Sequence, residues 1–158
     1  MLGLNIPALG PYSQLELARV GDIISQYQGI QAAQQRDVTV KVLHGNSAAS
    51  PDTQHSLERE AAHLVQLHHP HILPVIDYGQ EQGVHYVVTP RPAGETLRQR
   101  LYQGGISLTE AITLGGQIAA ALAYAHEQGV VHGSLSSEAV LIDAAGHALV
   151  TGIGLLGL

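Results

Sequence analysis

The sequence predicts an α+β domain on three observations. Strand-like runs crowd its first 90 residues, a long capped helix fills 107–128, and a short hairpin closes the chain. Residues 12–20 and 23–32 read as two strands around Gly21-Asp22, the first alternating Leu15, Leu17 and Val20 with polar residues. Residues 36–43 form a third strand, in which β-branched residues flank Lys41. Ser50, Pro51 and Asp52 are a helix start: a cap, a residue preset for the first turn, and a carboxylate at the positive end of the dipole. Leu57, Ala61, Leu64 and His68 mark one face of that helix, which ends before Pro70. Residues 72–78 and 84–89 read as two further strands. Residues 95–103 are a short helix stopped by Gly104-Gly105.

The 107–128 helix opens on Ser107-Leu-Thr-Glu110, a capping-box pattern. Its apolar residues run around most of the circumference, so cover is expected on several sides, with close packing at Gly115-Gly116. Strands at 139–142 and 147–151 flank the turn Asp143 to Gly146.

Composition excludes several functions. The chain has 158 residues, enough for a compact core, with 45% hydrophobic and 13% charged residues. A net charge of −6 and only 7 basic residues leave no footprint for nucleic acid or an anionic membrane; Arg98 and Arg100 read as a solvated helix face. There is no cysteine, which removes disulfides, thiolate catalysis and cysteine-based zinc sites. Met1 to Gly10 lacks the basic and long apolar regions of a signal peptide, and no apolar run approaches the roughly 20 residues of a membrane helix. A cytoplasmic location is the default expectation. His63, His68, His69 and His71 raise the question of a metal site, but no carboxylate or second histidine pair completes a ligand set at helical spacing; they read as a histidine-rich helix end and loop, and no metal is expected.

Five short motifs occur in a telling order: Val38-Thr-Val-Lys41; Arg59-Glu-Ala61 with Leu67-His-His-Pro-His-Ile72; Tyr86-Val-Val-Thr89; Gly94-Glu-Thr-Leu97; and Tyr124-Ala-His126 with Gly129-Val-Val-His132. Together they resemble the protein kinase family, most closely bacterial serine/threonine kinases, over residues 12–156. The resemblance implies a kinase-like N-lobe at 12–89, a five-stranded antiparallel sheet plus helix C. A hinge at 90–94 and the first part of the helical C-lobe at 95–158 follow; residues 1–11 are an extension.

The resemblance also implies roles. Lys41 and Glu60 match the phosphate-binding lysine and its helix C partner, read either as an ATP-competent pair or as a structural ion pair. The glycine-rich loop should read Gly-x-Gly-x-x-Gly-x-Val, and Arg19, Gly21, Ile24 and Gln26 stand at those positions. The catalytic loop is His132-Gly-Ser134, with Ser134 for the base, Ser136 for the lysine and Ala139 for the magnesium-binding asparagine. Gly152 stands for the metal-binding aspartate, ahead of Ile153 and Gly154. Pro92, which has no N–H, holds the place of the hinge donor to adenine. Lys41, Glu60, Gly21, Thr39, Thr89, Pro92 and Leu141 are therefore a remnant nucleotide pocket. Leu64, Val75, His132 and Ile153 match the family's internal spine.

The expected function is a catalytically inactive kinase-like module that binds protein, with no cofactor. The alternative is a weak or atypical ATP-binding kinase fragment using Lys41 and Glu60; a functionless remnant is disfavoured by the intact periodicity and caps. The family continues past this point with a larger helical lobe. The 107–128 helix is therefore expected to bare an apolar face that pairs with another copy or a protein partner, unless the chain is a fragment of a longer one.

Overall fold

A computed structural model of the chain describes residues 6–21, 24–43, 59, 61–81 and 83–154. Two compact units emerge, one of residues 1–65 and 75–91, the other of 66–74 and 92–158.

The first unit is built on a sheet of six strands in the order β1-β2-β3-β4-β6-β5, all antiparallel. The strands are β1 (Ala8–Leu9), β2 (Tyr12–Arg19), β3 (Ile24–Gln31), β4 (Arg36–Leu43), β5 (Asp77–Glu81) and β6 (Val84–Pro90). Five were expected. The sixth, β1, comes from the segment read as an extension, and Ile6 and Leu9 are buried there. β4 lies between β3 and β6, with Val38, Val40 and Val42 on one face. These valines, fully buried, form the core with Tyr12, Leu15, Tyr27, Tyr86 and Val88.

Side chains bring the two ends of the sheet together. Tyr12 Oη, at the start of β2, donates to Asp77 Oδ2 of β5 at 2.6 Å, and the Gly10 N–H donates to the Glu81 carboxylate. The Tyr12 ring meets the Tyr86 ring edge to face at 6.2 Å.

β2 departs from the expected alternation. Leu15 is buried, but Leu17 is 43% exposed and Val20 66% exposed. Register shifts occur between Ser13/Glu16, with Gln14 at φ +53°, and between Leu17/Arg19, so the period breaks before Leu15 and again before Val20, while Leu17 still pairs with Tyr27. The strand expected at 72–78 forms instead at 77–81, because Ile72 and Leu73 bond elsewhere and Pro74 has no N–H to give a ladder. A helix, α1, ends over residues 61–65 with Ala61 and Leu64 buried; His68 lies beyond it, exposed. The cap expected at Ser50, Pro51 and Asp52, and Leu57, lie outside the described residues.

The second unit holds α2 (Leu97–Gln103), α3 (Leu108–Glu127) and a three-stranded antiparallel sheet of β7 (Glu95–Thr96), β8 (Val140–Ile142) and β9 (Ala148–Val150). Thr96 caps α2 in a full capping box with Gln99, so the helix begins two residues later than the sequence suggested. Ser107 Oγ caps α3 by accepting the Glu110 N–H at 3.2 Å, while the Glu110 carboxylate meets Arg100 Nη2 at 3.4 Å. Leu114, Val140, Ile142 and Ala148 form this unit's core. The close packing expected at Gly115-Gly116 does not occur: among the described residues, a Cβ added at either would meet nothing within 4 Å.

Replacing Tyr12 with Phe should lower stability by about 1.5–3 kcal/mol in urea unfolding, since the bond lost reaches a charged acceptor. Burial first, then the bond to Asp77, holds the Tyr12 phenol above its ordinary value. Its contribution is thus complete below about pH 10, where the unfolded phenol titrates, and is lost as pH rises further. The alkaline loss should shrink in Tyr12→Phe.

Candidate functional site

In the first unit, strand pairing gathers part of the expected pocket. Gln28, Thr39 and Thr89 stand in one row across β3, β4 and β6; Gln26, Lys41 and Val87 stand in the next such row. Because alternate residues face opposite sides, these groups share the sheet face turned away from the three valines. Thr39 and Thr89 are directly opposite and only 3% and 4% exposed. Lys41 is half-buried, and burial lowers its pKa. Among the described residues it has no carboxylate partner; Glu60, its expected partner, lies outside them.

Gly21 precedes the return into β3, whose last pair with β2 is Arg19 with Gln26. A Cβ at position 21 would collide with the Ile24 carbonyl oxygen. Tight backbone approach within the turn thus accounts for this glycine without any phosphate. Ile24 and Gln26 are ladder residues of β3.

In the second unit, the loop after α3 carries the remaining positions. His132 is 3% exposed. Its Nδ1 accepts the Ser134 N–H at 3.3 Å, so Nε2 carries the proton and donates to the Thr151 carbonyl at 2.9 Å. This ring joins the loop to the residue before Gly152. Ser134 and Ser136 are exposed and Ala139 is half-buried. Backbone bonds shape the loop: Ala139 N–H to the Ser136 carbonyl at 3.0 Å, and Thr151 N–H to the Ala139 carbonyl at 2.8 Å. Gly152 has φ +76°, a left-handed conformation that glycine adopts freely and that aspartate tolerates better than most residues.

Pro92 is half-buried in the connection after β6. Leu141, also half-buried, lies on β8 opposite Thr96 and Leu149. Of the spine positions, Leu64 in the first unit and His132 and Ile153 in the second are buried, and Val75 is half-buried.

Two carboxylates lie near these positions in the chain. Glu138 is engaged by Arg98 at 3.2 Å on the surface. Asp143 accepts the N–H groups of His147 at 2.8 Å and Ala145 at 2.9 Å, which hold its pKa low, the His147 bond foremost. Among the described residues no group of three or more histidine or acidic side chains could hold a metal, and no helix is long and apolar enough to cross a membrane.

A curled antiparallel sheet followed by a helical unit, with a lysine on the third long strand and a buried histidine on the loop after the longest helix, defines the protein kinase fold. The family profile of protein tyrosine and serine/threonine kinases matches residues 13–157, and the chain belongs to this family. Its curated relatives are bacterial serine/threonine kinases. PrkC of Bacillus subtilis is 29% identical over 92% of this chain and 23% of its own length. PknD of Mycobacterium tuberculosis is 31% identical over 92% of this chain and 22% of its own. The chain thus spans under a quarter of those relatives. Among solved structures, a double mutant of the PknI kinase domain of Mycobacterium tuberculosis superposes with a TM-score of 0.82 at 21% identity. It covers 98% of this chain and 63% of that domain.

Sequence reasoning did not anticipate the closure by Tyr12, since its partner Asp77 is 65 residues away. The Thr96 cap was readable from Thr-x-x-Gln but hidden inside an expected helix.

Substituting Lys41 by Met should raise the melting temperature at pH 7, because a charge disfavoured by burial is removed. A fall would point to an ion pair with Glu60.

Proposed function

We propose that this chain is a catalytically silent kinase-like domain that works as a protein-binding, regulatory module. One observation carries the reading: the side chains at the places of the base and the two magnesium ligands are those of Ser134, Ala139 and Gly152. A hydroxyl, a methyl and a hydrogen replace three oxygen-rich groups. An unassisted serine hydroxyl cannot take a proton near neutrality, and magnesium asks for oxygen ligands in near-octahedral array. Glu138 and Asp143 do not repair the set, one being held by Arg98 and the other by its own turn. Phosphoryl transfer depends on metal and cations to position and neutralise the phosphates, so the residues present do not fit a magnesium-nucleotide complex. Pro92 at the place of the hinge donor, and Thr39 at the place of a small residue, argue the same way for the base.

The binding surface we assign is the exposed side of α3. Leu108 is 78% exposed and Ile112 68%, with Gly115, Gly116, Ala119 and Ala123 continuing the stripe. Such a charge-free face suits an apolar protein partner or another copy.

In a thermal-shift titration, ATP should leave the melting temperature unchanged with or without magnesium. A bound nucleotide would add roughly 2.7 kcal/mol at a hundredfold excess over Kd. A magnesium-dependent rise would overturn catalytic silence and call for a phosphotransfer assay. For the binding face, Ile112→Glu should abolish self-association in light scattering and reduce hydrophobic-dye binding; a wild type that is a monodisperse monomer and binds no dye would sink that assignment.

A further inference from the structure

The fold draws together three histidines that the proposed function leaves unused. In the second unit, the rings of His69 and His71 lie 5.7 Å apart and those of His71 and His147 6.3 Å apart. Tyr124 of α3 stacks on His69 at 5.3 Å, and its hydroxyl accepts the His68 N–H at 3.2 Å. Asp143 stands 3.5 Å from His147. The titratable groups against His69 are thus Tyr124 from α3 and His71 from its own segment, and those beyond His71 are His147, with Asp143 beside it, from the β8–β9 hairpin.

The two inner histidines are bonded in opposite senses. His71 Nδ1 donates to the Ala148 carbonyl at 2.9 Å, a bond that survives protonation of the ring. His69 Nδ1 accepts the His71 N–H at 3.1 Å, so it needs a bare lone pair there. A proton arriving at that nitrogen turns an acceptor into a donor facing another donor. The bonds that follow are a short ladder onto β9. The Ile72 N–H reaches the His69 carbonyl at 3.1 Å, the Leu73 N–H reaches the Val150 carbonyl at 2.9 Å, and the Val150 N–H reaches the His71 carbonyl at 2.8 Å.

We propose that residues 68–73 are a pH-sensitive latch onto β9 and α3, opened when a proton occupies His69 Nδ1. The latch stands whether or not the domain is silent in catalysis. Burial first, then the neighbouring His71, holds the His69 imidazole below its ordinary value. Its folded value being lowered, the contribution is complete above about pH 6.5 and is lost as pH falls through the folded value.

Amide hydrogen exchange at His71, Ile72, Leu73 and Val150 tests the latch at pH 7.5 and 5.0. In the wild type, protection at these four amides should fall between pH 7.5 and 5.0 by more than at any other amide of the second unit. His69→Gln can accept the same N–H without titrating, and should abolish the selective fall. His147→Gln removes an exposed ring and should retain it. An equal fall in the wild type and His69→Gln, or none in the wild type, overturns the latch. A titration of the wild-type imidazoles by NMR keeps the test independent of the variants: the His71 amide shift should follow the His69 midpoint, and a shift that follows another histidine refutes the mechanism.

Discussion

The hydrogen bond from Tyr12 to Asp77 joins strands that lie far apart in the order of the sheet, and the first unit depends on that closure. A twisted antiparallel sheet of this size leaves edges open unless something joins them. Here the joint is a buried phenol against a carboxylate, backed by the Gly10 N–H on Glu81 and by the Tyr12–Tyr86 ring contact. Behind it the valines of β4 are wholly buried. Once those valines are committed to the core, the pleat sends Thr39 and Lys41 to the other face. The location of the expected pocket residues is therefore a by-product of core packing, and it persists whatever their present chemistry.

The loop of the second unit shows a similar separation of shape from chemistry. Its form rests on backbone bonds among Ser136, Ala139 and Thr151, and on a histidine whose two ring nitrogens are both engaged. None of these contacts requires a side-chain carboxylate. Ser134, Ala139 and Gly152 can therefore stand on a kinase loop without disturbing its path. At Gly152 the left-handed backbone even relieves a conformational penalty that most other residues would carry. Side chains without oxygen ligands at Ala139 and Gly152 are thus compatible with a well-packed unit, which supports the proposed reading of the domain as a binding module.

Much of this was legible in the chain. The Val38-Thr-Val-Lys41 run announced its strand because β-branched residues suit a pleated, half-buried surface, and Ser107 announced α3 because a helix start needs a partner for its bare N–H groups. Errors fell where local pattern and long-range pairing disagree. Leu17 fits an alternating strand and pairs directly with the core residue Tyr27, yet it is exposed, because alternation does not say how much of a face is covered. Ile72 and Leu73 look like strand residues for the first sheet, yet their backbone pairs with Val150 of the second. The apolar circumference of α3 suggested cover on several sides, but periodicity states only which residues are apolar, not how many neighbours arrive.

By itself the sequence determined the fold class, the longer elements, the family and the identity of every group at the candidate site, because these follow from residue type and spacing along one chain. Only the tertiary structure decided which edges the sheet joins, that β1 exists, which tautomer His132 holds, and that His147 meets a histidine from the segment before β5. Those outcomes depend on where separate elements land in space, and a hydrogen bond between residues far apart leaves no period in the sequence to read.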